Sequence, residues 1–190
     1  MAVFRYVSHG DVVKDPTVPV PRWSLNERGR AQASALAAAP WVESVTRLVS
    51  SAETKAIEMA RPLADGLGLD LEIRAETGET DRSATGYVPP ERHDALAAHF
   101  FAEPERSADG WERAIDAQER VRAALADLLV ADGPGDVVVV GHGGVGTLLW
   151  CSLTGRPIDA AEDQDGPGNV WAWDLAGGVP LHPWQAIDTP

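Results

Sequence analysis

The clearest indication of the fold is the stretch DVVVVGHGG at residues 136–144. Its β-branched run has no polar alternation, which is typical of a strand buried on both faces of a parallel sheet. We predict that strand over residues 136–141, ending at His142 with a glycine on either side of it. A helix is predicted to follow over residues 145–153. A buried strand, a histidine at its carboxyl end and a following helix together indicate the α/β class.

The same arrangement stands near the start of the chain. A short strand predicted over residues 2–7 leads into Ser8, His9 and Gly10. Ligands of parallel sheets bind beyond the carboxyl ends of the strands, so we expect His9 and His142 in one crevice. The glycine after each histidine, Gly10 and Gly143, lets backbone N–H groups approach an anion closely. One such pair is a weak signal, but two in the same setting favour a functional site.

Strands and helices alternate along the rest of the chain. We predict further strands at residues 45–50, 69–74 and 169–175, and helices at 24–39, 52–67, 91–101 and 110–130. Ser24 and Glu27 form a capping-box pattern at the start of the first helix. Pro62 is expected to kink the second helix or mark a late boundary in it. The pattern predicts an α/β three-layer sandwich, with a mostly parallel central sheet and helices on both faces, in a single domain over residues 1–190.

Charge and composition exclude several classes of partner. The formal net charge is −13, because 29 Asp and Glu are set against 16 Lys and Arg. Such a surface repels polyanions and anionic lipid, so we expect neither nucleic acid nor a membrane as a partner. The single cysteine, Cys151, excludes an internal disulfide and a cysteine metal cluster. No apolar run approaches the ~20 residues of a membrane span and no leader pattern is visible, so we expect a cytoplasmic protein.

Over nearly its whole length the chain resembles the histidine phosphatase superfamily, whose fold is that of phosphoglycerate mutase. The resemblance rests on both His-Gly pairs and, between them, on LNERGRAQA at residues 25–33, SSAETKAIEMA at residues 50–60 and an acidic loop. It implies that His9 is the nucleophile that forms a phosphohistidine. It also implies that His142, with two arginines, stabilises the phosphoryl group. A carboxylic acid should protonate the leaving oxygen, and it is identified with Glu79 in the loop or, as the runner-up, with Glu76.

Two positions depart from the family pattern. Ser8 stands where the resemblance implies an arginine before the first histidine, and Lys55 stands at the second arginine position. A serine cannot supply the planar fork of donors with which arginine holds a phosphate, and lysine keeps only the charge. Arg22 and Arg82 are candidate replacements. Either could instead be a surface arginine whose stem packs on a neighbouring aromatic ring.

A divergent branch of the superfamily is similar in the same respects. It has a stretch like DRSATGY at residues 81–87 and a loop like PVPRW at residues 19–23, and it also lacks the leading arginine. Trp23 in that loop is the tryptophan that we expect near the site. The substrates of this branch are not well defined, so the resemblance implies a reaction class and not a particular substrate.

The function expected is therefore hydrolysis of a phosphomonoester through phospho-His9, without a metal or other cofactor. The expected partner is a small phosphorylated or anionic metabolite, with a second copy of the chain as a candidate partner in a homodimer. The alternatives are that the fold has been re-purposed for acid–base chemistry on a ligand without phosphate, or that it is a catalytically silent binding protein.

Overall fold

A six-stranded mixed sheet forms the centre of the molecule in the computed structural model, which describes residues 2–130, 133 and 135–187. The sheet order is β3-β2-β4-β1-β5-β6. The strands are β1 (Val3–Ser8), β2 (Val45–Ser50), β3 (Leu71–Ile73), β4 (Asp136–Gly141), β5 (Asn169–Asp174) and β6 (Val179–Ala186). The four strands β1 to β4 pair in parallel, whereas β5 and β6 pair antiparallel. The predicted α/β class with a mostly parallel sheet is confirmed.

Helices cover both faces of the sheet. They are α1 (Glu27–Ala37), α2 (Thr54–Leu67), α3 (Pro90–Ala102), α4 (Ala114–Ala124), α5 (Ala126–Leu129) and α6 (Gly143–Thr154). Val137 and Val139 of β4 pack in one core cluster with α3, α4 and α6, while Val138 and Val140 pack in another with α1 and α2. This alternation is why the valine run carries no polar residue. In the part of the chain that the structure describes, no helix is long and apolar enough to cross a membrane.

The first two helices begin later than the sequence pattern predicts. Asn26, and not Ser24, is the N-cap of α1, because its side chain accepts a hydrogen bond of 2.9 Å from Gly29 N. Leu25 is still extended and forms an isolated bridge with Val12. Helix α2 begins at Thr54 and runs through Pro62 to Leu67, where Gly68 adopts a left-handed conformation with φ 65°. A glycine takes that conformation without the steric cost that a side chain would add.

Two other predicted elements differ from the structure, and one strand was missed. The strand predicted over residues 69–74 is shorter, and the helix predicted over residues 110–130 is divided into α4 and α5. Strand β6 was not predicted. Pro180 and Pro183 lie inside β6, which is an edge strand of the sheet. Proline is tolerated at an edge because no neighbouring strand needs its missing N–H. A sequence pattern containing two prolines therefore gave no strand signal.

Candidate active site

His9 and His142 lie side by side at the carboxyl edge of the sheet. They follow β1 and β4, which are hydrogen-bonded neighbours, and their ring centroids are 5.3 Å apart with the ring planes at 68°. The parallel pairing of Ser8 with Gly141 brings the two strand ends level. The structure thus brings the two predicted histidines together at one edge of the sheet, although only His9 lines the cavity there.

His9 is held as a neutral ring with one available lone pair. Its Nδ1 lies 2.8 Å from Gly10 O, and because a carbonyl oxygen can only accept, Nδ1 carries the proton. Nε2 is then the unprotonated nitrogen of the neutral ring. Burial lowers the pKa of His9 to about 3, and the charges of His142 and Lys55 act in the same direction. The ring is therefore neutral at physiological pH, as a nitrogen nucleophile must be.

His142 is completely buried behind His9. Its Nε2 lies 2.7 Å from Ser51 Oγ and 3.4 Å from Glu53 Oε1. Burial lowers the pKa of His142, while the negative charges of Glu53 and Glu79 oppose that effect. Among the residues that the structure describes, Nδ1 of His142 has no hydrogen-bond partner. A buried nitrogen without a partner is costly, so this atom is placed to meet a group that is brought by a ligand.

Glu79 lies at the N-terminus of helix α6. Its carboxylate accepts hydrogen bonds from Gly144 N at 3.3 Å, Val145 N at 3.2 Å and Thr80 N at 2.9 Å. Burial alone would raise the pKa of Glu79, but the charges of Arg82 and His142 and the bond from Thr80 lower it to about 2. The carboxyl group is ionised in the ligand-free protein.

Glu76, the runner-up for the acid, is placed differently. It is exposed on the short 3-10 turn Ala75–Thr77 and does not line the cavity at His9. Glu79 lines that cavity, so of these two candidates the geometry favours Glu79.

Lys55 is buried and its charge is already paired. Its Nζ forms an ion pair with Glu53 Oε2 and donates a hydrogen bond of 3.0 Å to Val20 O. The other oxygen of Glu53 accepts from Glu79 N at 2.9 Å. Burial would raise the pKa of Glu53, but the charges of His142 and Lys55 lower it. Lys55 thus faces a carboxylate, in addition to lining the cavity.

Sequence reasoning missed Glu53 and Ser51, which contact His142. Both follow β2, the neighbour of β4, at the same edge of the sheet as the histidines. Their position just beyond a predicted strand was the signal that could have found them.

Arg82 lines the cavity and is held by aromatic neighbours. Its guanidinium lies 4.7 Å from the ring centroid of Trp111, and Nη1 is 2.7 Å from Nε2 of His93. Nη2 is 3.6 Å from Glu79 Oε2. Nε is buried and has no hydrogen-bond partner in the described part of the chain. Arg22, the other candidate cation, is exposed and does not line the cavity.

Ser8 and Gly143 contact the loop after α6, and not the cavity. Ser8 is fully buried, donates a hydrogen bond of 2.5 Å to Gln164 Oε1 and accepts one of 2.9 Å from Asn169 N. A Cβ on Gly143 would lie 2.2 Å from Nε2 of Gln164. Gly10 is packed as closely, because a Cβ there would lie 2.8 Å from the Cα of Gly29. Their roles as substrate-binding residues stay predictions.

The cavity at His9 has a volume of about 970 Å³. His9, Glu79, Arg82, Lys55 and Glu53 line it, and His142 lies buried behind them. A neutral imidazole, a second imidazole with a nitrogen that has no partner among the described residues, a carboxylate and a guanidinium are groups that can serve transfer of a phosphoryl group to nitrogen.

The family is established by the sequence. The model of the histidine phosphatase superfamily (branch 1) matches residues 17–169, so the chain belongs to that superfamily. The matched stretch includes Lys55, Glu79 and His142 and begins after His9. No curated protein matches the sequence.

Solved structures share the fold. A mycobacterial glucosyl-3-phosphoglycerate phosphatase in complex with inorganic phosphate is 22% identical over 100% of both chains, with a TM-score of 0.82. The protein YhfR from Bacillus stearothermophilus is 20% identical over 100% of this chain and 98% of its own, with a TM-score of 0.81. A phosphoserine phosphatase from Entamoeba histolytica, in complex with 3-phosphoglyceric acid, is 16% identical over 98% of each chain, with a TM-score of 0.79. Distant homologues of this chain are thus phosphatases of small phosphorylated metabolites.

Proposed function

We propose that the protein hydrolyses a phosphomonoester through a phosphohistidine intermediate on His9. One observation carries the proposal: His9 is a neutral imidazole, protonated on Nδ1, in a cavity beside two buried nitrogens that lack partners among the described residues. Those nitrogens are His142 Nδ1 and Arg82 Nε. An anionic ligand accepts from Arg82 Nε, and from His142 Nδ1 when that nitrogen carries a proton; a phosphoryl group has enough oxygens to do both.

The chemistry begins at Nε2 of His9. This atom attacks phosphorus while the bond between phosphorus and the ester oxygen breaks, so the phosphoryl group moves to nitrogen. His142 and Arg82 stabilise the charge that spreads over the phosphoryl oxygens. Water then attacks the phosphohistidine, which releases inorganic phosphate and restores His9.

Glu79 supplies the proton that the leaving alkoxide needs. Because its carboxyl group is ionised in the ligand-free protein, the proton is taken up together with the substrate. A bound phosphate dianion raises the pKa of Glu79, since it adds negative charge nearby and offsets the positive charge of Arg82. In the second step the carboxylate of Glu79 accepts a proton from the attacking water.

A panel of phosphomonoesters tests this proposal through the release of inorganic phosphate. We expect turnover of at least one ester by the wild type, an acid-labile phosphoryl group on the protein, and loss of both in His9→Ala. If no ester is hydrolysed and His9→Ala behaves like the wild type, the proposal is wrong.

A second candidate is acid–base chemistry on a ligand without phosphate. It is favoured by the pairing of the cavity's cations, because Lys55 contacts Glu53 and Arg82 lies near Glu79. Titration with inorganic phosphate separates the two candidates. Binding in the low millimolar range or tighter contradicts the second candidate.

A further inference from the structure

The cavity at His9 is far larger than a phosphoryl group requires. Its volume of about 970 Å³ is at the upper end of ligand-binding cavities, which span roughly 300 to 1,000 Å³. His9, Glu79 and Arg82 serve the phosphoryl group and line only part of it. The remaining space is available to the alcohol part of the ester, so its walls indicate which alcohols fit there.

One wall is apolar and firmly held. It comes from the loop after β1 and includes Val18, Val20 and Trp23. Trp23 Nε1 donates to Asp15 O at 2.9 Å and to Val18 O at 3.0 Å, so the one polar atom of the indole is satisfied by its own loop. Lys55 donates to Val20 O and thereby ties this wall to helix α2. The ring of Trp23 is therefore a fixed apolar surface.

A second wall is also apolar. It includes Tyr87, Val88 and Trp111, and Trp111 Nε1 donates to Thr85 Oγ1 at 2.9 Å. The rings of Trp23 and Tyr87 have centroids 5.8 Å apart, so the two walls meet at an aromatic pair. The two rings contact each other at this distance, so a ligand packs against the pair and not between its rings.

The charges of the lining disfavour a second phosphate. Four carboxylates line the cavity, against three cationic side chains. The carboxylates belong to Glu53, Glu79, Asp81 and Asp94, and the cations to Lys14, Lys55 and Arg82. One phosphoryl group can use Arg82, but another anion would meet the excess of negative charge.

We infer that the substrate is a monophosphate ester of a bulky, mainly apolar alcohol, preferably aromatic, whose apolar part packs against the apolar walls that meet at Trp23 and Tyr87. The inference rests on the proposed function, because it assigns the phosphoryl group to His9. Lys55 lies at the position where the resemblance implies a phosphate-binding arginine. Its hydrogen bond to Val20 O then holds the wall that contacts the alcohol.

Binding of two phosphonates, which cannot be hydrolysed, tests the inference without turnover. We expect calorimetry to show that 1-naphthylmethylphosphonate binds the wild-type protein at least about tenfold more tightly than methylphosphonate, because the naphthyl ring packs against these apolar walls. Tyr87→Ala should reduce this ratio of dissociation constants severalfold, and since Tyr87 is 38% exposed the fold should tolerate the change. Val18→Asn, which makes the other wall polar at similar size, should also reduce the ratio. Leu181→Ala, on edge strand β6 and 45% exposed, is the matched control and should leave the ratio unchanged.

The outcomes separate this inference from the proposed function. Equal binding of the two phosphonates, or a ratio that both wall variants leave unchanged, overturns the inference even if small polar phosphomonoesters are hydrolysed. Preferential binding of the naphthyl compound with no hydrolysis of any phosphomonoester of the panel, 1-naphthyl phosphate included, supports the apolar site and overturns the hydrolase proposal.

Discussion

His9 and His142 occupy the same position in the sequence pattern but different environments in the fold. Each follows a buried strand and precedes a glycine, yet His9 bonds to the carbonyl of its own neighbour, whereas His142 bonds to side chains that follow another strand. His9 lines the cavity, and His142 is fully buried behind it. A repeated motif therefore determines the position of each imidazole in the fold, whereas its partners from elsewhere in the chain determine what chemistry it can perform.

Replacement of each histidine by asparagine in turn should have the largest effect on activity and tests whether the two histidines differ in role. His9→Asn should lower kcat by at least about a thousandfold, because no nucleophile remains. His142→Asn should lower kcat less, by about a hundredfold, because it removes one stabilising group. Only the second variant should still form a phosphoenzyme, which rapid-quench labelling measures. Equal loss of labelling in both variants would contradict the division of roles.

Replacement of Glu79 tests the acid that serves this pair. Glu79→Gln keeps an oxygen to accept from Gly144 N but cannot deliver the proton. We expect kcat for alkyl phosphates to fall by about a hundredfold, and kcat for p-nitrophenyl phosphate to fall far less because that leaving group needs no proton. Glu76→Gln is the companion variant, and a larger effect from it would identify Glu76 as the acid instead.

Glu53 distinguishes His142 from His9, and its removal should have a smaller effect. Glu53→Gln leaves the imidazole in place but removes the nearby negative charge, so protonated His142 becomes less stable. We expect kcat to fall by about tenfold, with the alkaline limb of its pH profile moved to lower pH. The matched control is Glu58→Gln on helix α2. The Glu58 carboxylate accepts from Leu25 N and does not line the cavity. An unchanged pH profile for Glu53→Gln would show that this carboxylate has no electrostatic role.

Of the effects predicted here, we expect the smallest in the dependence of the free energy of unfolding on pH. The pKa of His9 is about 3 in the folded protein and 6.5 as a model value, so the folded state binds fewer protons between these values. The free energy of unfolding is therefore highest above pH 6.5 and falls as the solution becomes more acidic, by up to about 1.4 kcal/mol per pH unit for each such histidine.

Measurement between pH 5 and 6.5 excludes a contribution from Glu79, because the lowered pKa of that carboxyl keeps it ionised throughout. His9→Asn should show a shallower slope than the wild type in urea denaturation. Identical slopes in the two proteins would mean that His9 is as easily protonated in the folded protein as in the unfolded chain.

Strands β1, β2 and β4 and the positions of both histidines could be predicted from the sequence alone. The valine run of β4 has a pattern that only a doubly buried strand satisfies, and both His-Gly pairs lie directly beyond strands. These features are local, since a strand and the residue that follows it are set by a few neighbouring side chains. Strand β2 was predicted with its observed bounds for the same reason.

The hydrogen-bond and ion-pair partners of the site residues could be identified only in the tertiary structure. Sequence spacing gave no indication that Glu53 would pair with Lys55 and approach His142, or that Gln164 would bond to Ser8. It also left Arg22 and Arg82 equivalent, although Arg82 alone of the two lines the cavity. Contacts between residues distant in the chain depend on how loops close over the sheet, and no local pattern encodes that closure. The charge available to a ligand at His9 is therefore a property of the folded molecule.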